Sequence, residues 1–187
     1  MKLIPNILSA ARLALAPYLF VVIWRREYTL ALGLCLIAGI TDGLDGLIAR
    51  RFQAASRLGA YLDPIADKVL LSGAFLTLAL DGAIDKWVAV LVLGRDVLIL
   101  FLAGGAFVLT TVRKFPPSIW GKGSTSAQIV FVLVLLAHLS GFASASWVET
   151  LKWLVVAFTA GSGAHYSWIA FSTARQTRAP ANHDSMP

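Results

Sequence analysis

The chain has 187 residues, of which 58% are hydrophobic and 14% charged, and its formal net charge is +6. Soluble domains of this length rarely carry so few polar residues, so the composition argues against a soluble enzyme and favours a membrane protein. Because Cys35 is the only cysteine, an internal disulfide and a thiolate metal site are excluded.

Six apolar runs follow one another along the chain. A helix of roughly 20 apolar residues crosses a hydrocarbon layer about 30 Å thick. Lipid cannot satisfy free backbone polar groups, so each run is predicted to be helical. The predicted fold is an all-α, polytopic bundle of six transmembrane helices, with spans at 5–24, 29–50, 59–80, 86–110, 125–143 and 147–171.

These spans form one predicted six-helix domain over 1–174, followed by a polar, Pro-containing tail over 175–187 that we expect to be disordered and cytoplasmic. Eleven Lys and Arg residues fall on the side of the two termini, and four fall on the other side. The positive-inside rule therefore predicts that the termini and the loops after the second and fourth spans are cytoplasmic. The pair Arg25-Arg26 argues locally for the reverse orientation.

Four aspartates lie where the second span ends and the third begins. Asp42 and Asp45 are three residues apart, and Asp63 and Asp67 are four apart, so each pair shares one face of its helix. A tight hairpin of the two helices would point the pairs at each other. Carboxylates inside a span cost roughly 2.5–3.5 kcal/mol each and also repel one another, so a cation is expected between them.

The residue types define the expected ligands. Four carboxylates without a nearby His or Cys favour two divalent ions, Mg2+ or Mn2+, in the arrangement used for phosphoryl-type displacement. Gly46 would let a diphosphate approach the backbone, and Arg50 lies about one turn further on the same face. Gly59 would let the third helix approach the second. Small residues that only permit helix packing are the alternative explanation for the glycines.

The aspartates belong to a longer pattern of fixed residues, D-x2-DG-x2-AR-x8-G-x3-D-x3-D. Every fixed position is filled, by Asp42, Asp45, Gly46, Ala49, Arg50, Gly59, Asp63 and Asp67. Through this motif the chain resembles the CDP-alcohol phosphatidyltransferase family. The resemblance implies six transmembrane helices, a homodimer and an active site that opens to the cytoplasmic leaflet.

The resemblance also implies roles for the motif residues. The implied metal ligands are Asp42, Asp45, Asp63 and Asp67. Asp67 would in addition act as the base that takes the proton of the acceptor hydroxyl. Gly46, Arg50 and Gly59 are assigned to the cytidine diphosphate part of the substrate.

Four basic residues outside the motif are candidates for acceptor binding: Arg12, Arg95, Arg113 and Lys122. Arg12 lies on a polar flank of the first helix and would contact substrate or make interhelical hydrogen bonds. Arg95 would reach the aspartates or an acceptor phosphate, or would pair structurally with Asp96. The cationic loop with Arg113 and Lys122 would capture the phosphate of glycerol 3-phosphate, or attract anionic headgroups.

The opening segment 4–12 resembles family members that make phosphatidylglycerophosphate or cardiolipin. We therefore expect transfer of a phosphatidyl group from CDP-diacylglycerol to glycerol 3-phosphate at a bacterial inner membrane, releasing CMP, with divalent metal as cofactor. Phosphatidylglycerol is the alternative acceptor. A cation transporter is the alternative from another class, because carboxylates inside spans also mark ion pathways. The expected partners are membrane lipids and a second copy of the chain, and no nucleic acid.

Overall fold

A computed structural model describes residues 3–52, 57–109 and 119–178, with side chains at 10–41, 43, 65–102, 119–169 and 171. Over these ranges the chain is folded into α-helices without a strand, which confirms the all-α prediction. The helices are α1 (Leu3–Trp24), α2 (Tyr28–Phe52), α3 (Arg57–Leu80), α4 (Lys86–Leu109), α5 (Ile119–Leu139) and α6 (Ala145–Arg178).

The helices follow the predicted spans, and the largest differences are in α5 and α6. Helix α5 starts at Ile119, before the span predicted at 125–143, and α6 continues to Arg178, beyond the predicted domain boundary at 174. Hydropathy detects the apolar part of a helix, whereas each added residue of any type gains a backbone hydrogen bond once a helix has started. Residues 179–187 of the predicted tail lie outside the described residues.

One helix within the described ranges is long and apolar enough, by length and composition, to cross a membrane. It is the 21-residue helix α5. Shorter apolar stretches lie in α1, at Ala10–Trp24, and in α2, at Tyr28–Thr41. The arrangement with six membrane spans stays a prediction.

The core of the bundle is formed mainly by α1, α3, α4 and α5. Helix α1 packs along α3, and α5 packs along α6, which also contacts α4. The rings of Phe75 on α3 and Phe131 on α5 stack with their centroids 5.9 Å apart. The largest fully buried apolar side chains around them are Leu19, Ile23, Leu78, Leu136, Val88, Val92 and Val155.

The contact between α1 and α3 depends on Gly73. A Cβ atom added to Gly73 would lie 2.1 Å from Cζ of Phe20, and the two neighbouring ring carbons would be 2.6 and 2.8 Å away. The ring of Phe20 therefore occupies the space that any larger residue at 73 would need. This glycine lets α1 lie close to α3.

Three connections, α1–α2, α3–α4 and α5–α6, lie at one end of the bundle, and the second residue of each has a positive φ. These residues are Arg26 (60°), Gly82 (81°) and Gly141 (85°). Glycine adopts this conformation freely, but arginine does not. Arg26 is held by its Nε, which donates to Oδ1 of Asp81 at 2.9 Å. This hydrogen bond raises the pKa of Arg26 and ties the first loop to the α3–α4 loop.

Replacement of Gly73 by alanine is expected to destabilise the chain by about 1–3 kcal/mol, the range for overpacking a filled site. The cause is the clash between the new methyl group and the ring of Phe20. The measurement is the thermal unfolding midpoint of the purified chain.

Gly33→Ala is the matched control, because no atom lies within 4 Å of a Cβ built at Gly33. Its unfolding midpoint should stay constant or rise slightly, since alanine is the better helix former. Shortening Phe20 to leucine should restore part of the stability lost in Gly73→Ala. Equal midpoints for Gly73→Ala and Gly33→Ala would contradict the proposed clash.

Candidate active site

Helices α2 and α3 carry the four aspartates of the motif. Asp42 and Asp45 lie in the second half of α2, while Asp63 and Asp67 lie in the first half of α3. The two helices are consecutive and are joined by the short segment 53–56. Both pairs therefore lie toward the end of the bundle where α2 finishes and α3 starts.

Most of the predicted ligands lie outside the described side chains. Only the helical backbone is described at Asp42, Asp45, Gly46, Arg50, Gly59 and Asp63, and Arg113 is outside the described residues altogether. Among the side chains that are described, no group of three or more His, Cys, Asp or Glu residues forms a metal site. The two-metal cluster thus stays a prediction, with Asp67 as its described member.

Asp67 is paired with Arg12 across the α1–α3 contact. Nη1 of Arg12 donates to Oδ1 of Asp67, and the side chain of Arg12 is 6% exposed while that of Asp67 is 49% exposed. A buried guanidinium requires an anionic partner, and such charge-assisted bonds are stronger than neutral ones. Arg12 therefore orients a carboxylate that is still open to the outside of the bundle.

The pair of Arg12 and Asp67 lies in the wall of a cavity of about 550 Å3, which we call the first cavity. Its charged lining residues are Arg12, Asp67 and Lys68, and the remaining wall is mostly apolar. The apolar lining comes from α2, α3 and α5: Cys35, Leu36, Ala38, Gly39, Ile40, Leu70, Leu71, Ala74, Ile129, Val132 and Leu133. The charged residues therefore form one part of the cavity wall, and the rest of the wall is mostly apolar.

A second cavity of about 540 Å3 lies between α4, α5 and α6. It is lined by Arg95, Ile99, Gly121, Lys122, Thr125, Ser126 and Tyr166. Two of these residues are cationic and none is acidic. Thr125 also lines the first cavity, so the two cavities are neighbours. Arg95 and Lys122 are thus brought together, while Arg12 lines the first cavity.

Asp96 on α4 connects residues of the two cavities. Its Oδ1 lies 2.6 Å from Nζ of Lys68 and 2.9 Å from Nη1 of Arg95. Its Oδ2 accepts a hydrogen bond from Ser72 at 3.3 Å. Ser162 on α6 accepts two bonds from Arg95, from Nε at 3.1 Å and from Nη2 at 2.6 Å. The buried charges of α4 are therefore bonded to both α3 and α6.

A second set of buried polar side chains joins α5 to α6. Nε2 of Gln128 donates to Oγ of Ser124 at 3.1 Å, and that oxygen lies 3.1 Å from Oγ1 of Thr159. All three residues are buried. None of them lines either cavity. These bonds therefore hold α5 against α6.

Lys68, Asp96 and Ser162 were not among the site residues predicted from the sequence. Lys68 directly follows the last aspartate of the motif, and this position is the signal that could have identified it as a site residue. Asp96 stood out as a charge inside a span, and its pairing with Arg95 was one of the expected alternatives, but its contacts with Lys68 and Ser72 were not predicted. Ser162, between two glycines, resembles a small packing residue. Only the helix arrangement brings these three residues to one place.

Comparison with known proteins shows the family. The family model described as CDP-alcohol phosphatidyltransferase matches residues 2–161. The CDP-diacylglycerol--glycerol-3-phosphate 3-phosphatidyltransferase of Bacillus subtilis is 30% identical to the chain, and the match covers 91% of this chain and 97% of that protein. The chain therefore belongs to the CDP-alcohol phosphatidyltransferase family, which confirms the resemblance drawn from the motif.

Two animal relatives are longer than this chain. The cardiolipin synthase (CMP-forming) of Rattus norvegicus is 33% identical over 87% of this chain, and the match covers 59% of that protein. A probable cardiolipin synthase (CMP-forming) of Drosophila melanogaster is 40% identical over 64% of this chain and 36% of its own length. The chain thus spans less than two thirds of these two proteins. Membership of a transferase family favours the enzyme hypothesis over the cation transporter.

Proposed function

We propose that the chain is a phosphatidylglycerophosphate synthase, which transfers the phosphatidyl group of CDP-diacylglycerol to glycerol 3-phosphate and releases CMP. The observation that carries this proposal is that the two cavities lie next to each other. The first holds Asp67 beside an apolar wall, and the second holds two cations that suit a phosphate. A lipid donor and a water-soluble phosphorylated acceptor need these two environments.

A relative that is similar over most of both chains supports the acceptor choice. The Bacillus subtilis relative, whose name includes glycerol 3-phosphate, is covered over 97% of its length. Glycerol 3-phosphate carries a phosphate in addition to its reacting hydroxyl. Arg95 and Lys122 would bind that phosphate, since guanidinium and ammonium groups both form charge-assisted hydrogen bonds to phosphate oxygens.

Cardiolipin synthesis is the second candidate function. It is favoured by the relatives from Rattus norvegicus and Drosophila melanogaster, which are named cardiolipin synthases and are 33% and 40% identical. The acceptor would then be phosphatidylglycerol, whose headgroup also contains a phosphate and a free hydroxyl. The chemistry at Asp67 would be the same for both acceptors.

In the proposed reaction, Asp67 accepts the proton of the acceptor hydroxyl. The freed oxygen forms a bond to the phosphorus that bears the diacylglycerol, and the bond from that phosphorus to the CMP oxygen breaks. CMP leaves with the bonding electron pair. Arg12 keeps the Asp67 carboxylate at the wall of the first cavity, where the hydroxyl has to arrive.

Two divalent ions, Mg2+ or Mn2+, form part of this proposal, with Asp42, Asp45, Asp63 and Asp67 as their ligands. The helical spacing of the two pairs and the carboxylate of Asp67 at the cavity fit hard cations that prefer oxygen. When bound, such ions supply charge stabilisation to the diphosphate of the donor. Gly46, Arg50 and Gly59 would hold the cytidine diphosphate part, as the family resemblance implies.

We place the chain in the bacterial inner membrane as a multi-pass homodimer, with the site facing the cytoplasm. The apolar helix α5 and the excess of basic residues on the side of the motif support this placement. The Arg25-Arg26 pair opposes it by charge count. Light scattering of the chain in detergent distinguishes a dimer from a monomer.

Asp67→Asn is expected to lower CMP release from CDP-diacylglycerol by about 10²–10⁴-fold, the usual contribution of a general base. The amide keeps the size of the side chain but cannot take the proton. The assay uses the purified chain with Mg2+ or Mn2+ and offers glycerol 3-phosphate or phosphatidylglycerol as the acceptor.

The matched control is Asp85→Asn, at an exposed carboxylate that pairs with Lys152 at the other end of the bundle. It should retain wild-type CMP release. If the wild type releases CMP with phosphatidylglycerol but not with glycerol 3-phosphate, cardiolipin synthesis replaces phosphatidylglycerophosphate synthesis as the proposed function. Release in sealed vesicles should require glycerol 3-phosphate on the cytoplasmic side, and a requirement for the opposite side would refute the topology.

Gly39→Leu is expected to raise the KM for CDP-diacylglycerol about tenfold, as a misfit of a few methylenes does in an apolar pocket. Gly39 lines the first cavity, and a Cβ there meets no atom within 4 Å, so the new side chain would occupy cavity space. Gly33→Leu on the same helix also enters open space but lines neither cavity. An equal KM in the two variants would exclude the first cavity as the lipid site.

Lys122→Ala is expected to raise the KM for glycerol 3-phosphate about tenfold, because one charge-assisted hydrogen bond to the phosphate is lost. The KM for CDP-diacylglycerol should change little. Lys86→Ala, at the start of α4, removes a lysine that is also exposed but lines neither cavity. If both lysine variants gave the same KM as the wild type, the second cavity would not be the acceptor site.

A further inference from the structure

Asp96 is a buried carboxylate that lines neither cavity but contacts a lining residue of each. Its side chain is 8% exposed, and the same oxygen, Oδ1, contacts Lys68 at 2.6 Å and Arg95 at 2.9 Å. Lys68 lines the first cavity, and Arg95 lines the second. One buried anion therefore has a cationic partner in the wall of each cavity.

The bonds to Arg95 fix its orientation as well as its charge. Arg95 has five N–H donors in a planar fork. Its Nη1 donates to Asp96, and its Nε and Nη2 donate to Ser162. Within the described part of the chain, this leaves one N–H on each terminal nitrogen. Both terminal nitrogens can therefore donate to phosphate oxygens in charge-assisted hydrogen bonds.

The bond to Lys68 acts on the other cavity. Lys68 is the neighbour of Asp67 in the chain, and its ammonium is drawn toward α4 by Asp96, which also accepts a bond from Ser72. The ammonium is thereby held to one side, although Lys68 lines the first cavity together with Asp67. Asp96 therefore also fixes the position of a cation in the wall of the first cavity.

We propose that Asp96 is a positioning residue for the acceptor: it holds Arg95 in the orientation that binds the acceptor phosphate. This inference rests on the proposed function and deepens it. The ligand class is a phosphomonoester with a free hydroxyl. A structural ion pair alone would stabilise the bundle without favouring one substrate over the other.

The test compares Asp96→Asn with the wild type in the full chain, with both substrates varied. Asp96→Asn should raise the KM for glycerol 3-phosphate at least about tenfold, the effect of losing a hydrogen bond to a charged group. The KM for CDP-diacylglycerol should stay within about twofold, because no contact to the donor is removed. Asp96→Glu keeps the negative charge and should recover part of the loss.

Gln128→Leu is the structural control, since Gln128 is buried and hydrogen-bonded but lines neither cavity. It should lower the unfolding midpoint without changing either KM. If Asp96→Asn behaves like Gln128→Leu, or raises both KM values equally, the proposal is wrong. Ser162→Ala provides a second variant if Asp96→Asn does not fold, and it should raise the same KM because Arg95 loses two bonds.

A binding measurement separates failure of this inference from failure of the proposed function. Inorganic phosphate should raise the unfolding midpoint of the wild type above that in chloride of equal ionic strength, and the gain should disappear in Asp96→Asn. If phosphate does not raise the unfolding midpoint of the wild type, or raises the midpoints of both proteins equally, the proposed role of Asp96 is wrong. If the wild type does not use glycerol 3-phosphate but shows the protection and its loss, only the acceptor assignment fails.

Discussion

The close packing of α1 on α3 is the contact on which the candidate site depends. Because Gly73 has no side chain, the ring of Phe20 packs directly against it. The two helices then lie near enough for Arg12 to reach Asp67. The same contact buries the guanidinium, so its charge has to be balanced locally. Apolar packing and the placement of the candidate base are therefore one structural feature, because a shift of α1 would change both.

Buried charges impose a second constraint. Asp96, Arg95 and Ser162 join α4 to α6, and the contact of Asp96 with Lys68 joins α4 to α3. Each member is satisfied by another, as a low-dielectric interior requires. Since the cations also line the two cavities, the interactions that stabilise the bundle also fix where a donor and an acceptor would meet. Membership of the CDP-alcohol phosphatidyltransferase family agrees with such a two-substrate arrangement.

Several features could be predicted from the sequence because they depend on local spacing. The apolar runs predicted helices, and the motif around Asp67 predicted the family. Arg95 and Lys122 were both expected near an acceptor, although nothing in their separation along the chain shows that they line one cavity. The end of α6 was placed too early, because hydropathy follows apolar content while the helix continues through polar residues to Arg178.

The sequence by itself determined the helical class and the family, because both follow from residue type at fixed spacing, and the resemblance to the family implied which carboxylate to propose as the base. The tertiary structure decided which partners those residues have. Arg12 bonds to Asp67, 55 residues away, and Arg95 bonds to Ser162, 67 residues away. Such contacts depend on how helices are rotated and packed against each other. That rotation is set by many weak apolar contacts together, and no local pattern of residues records it.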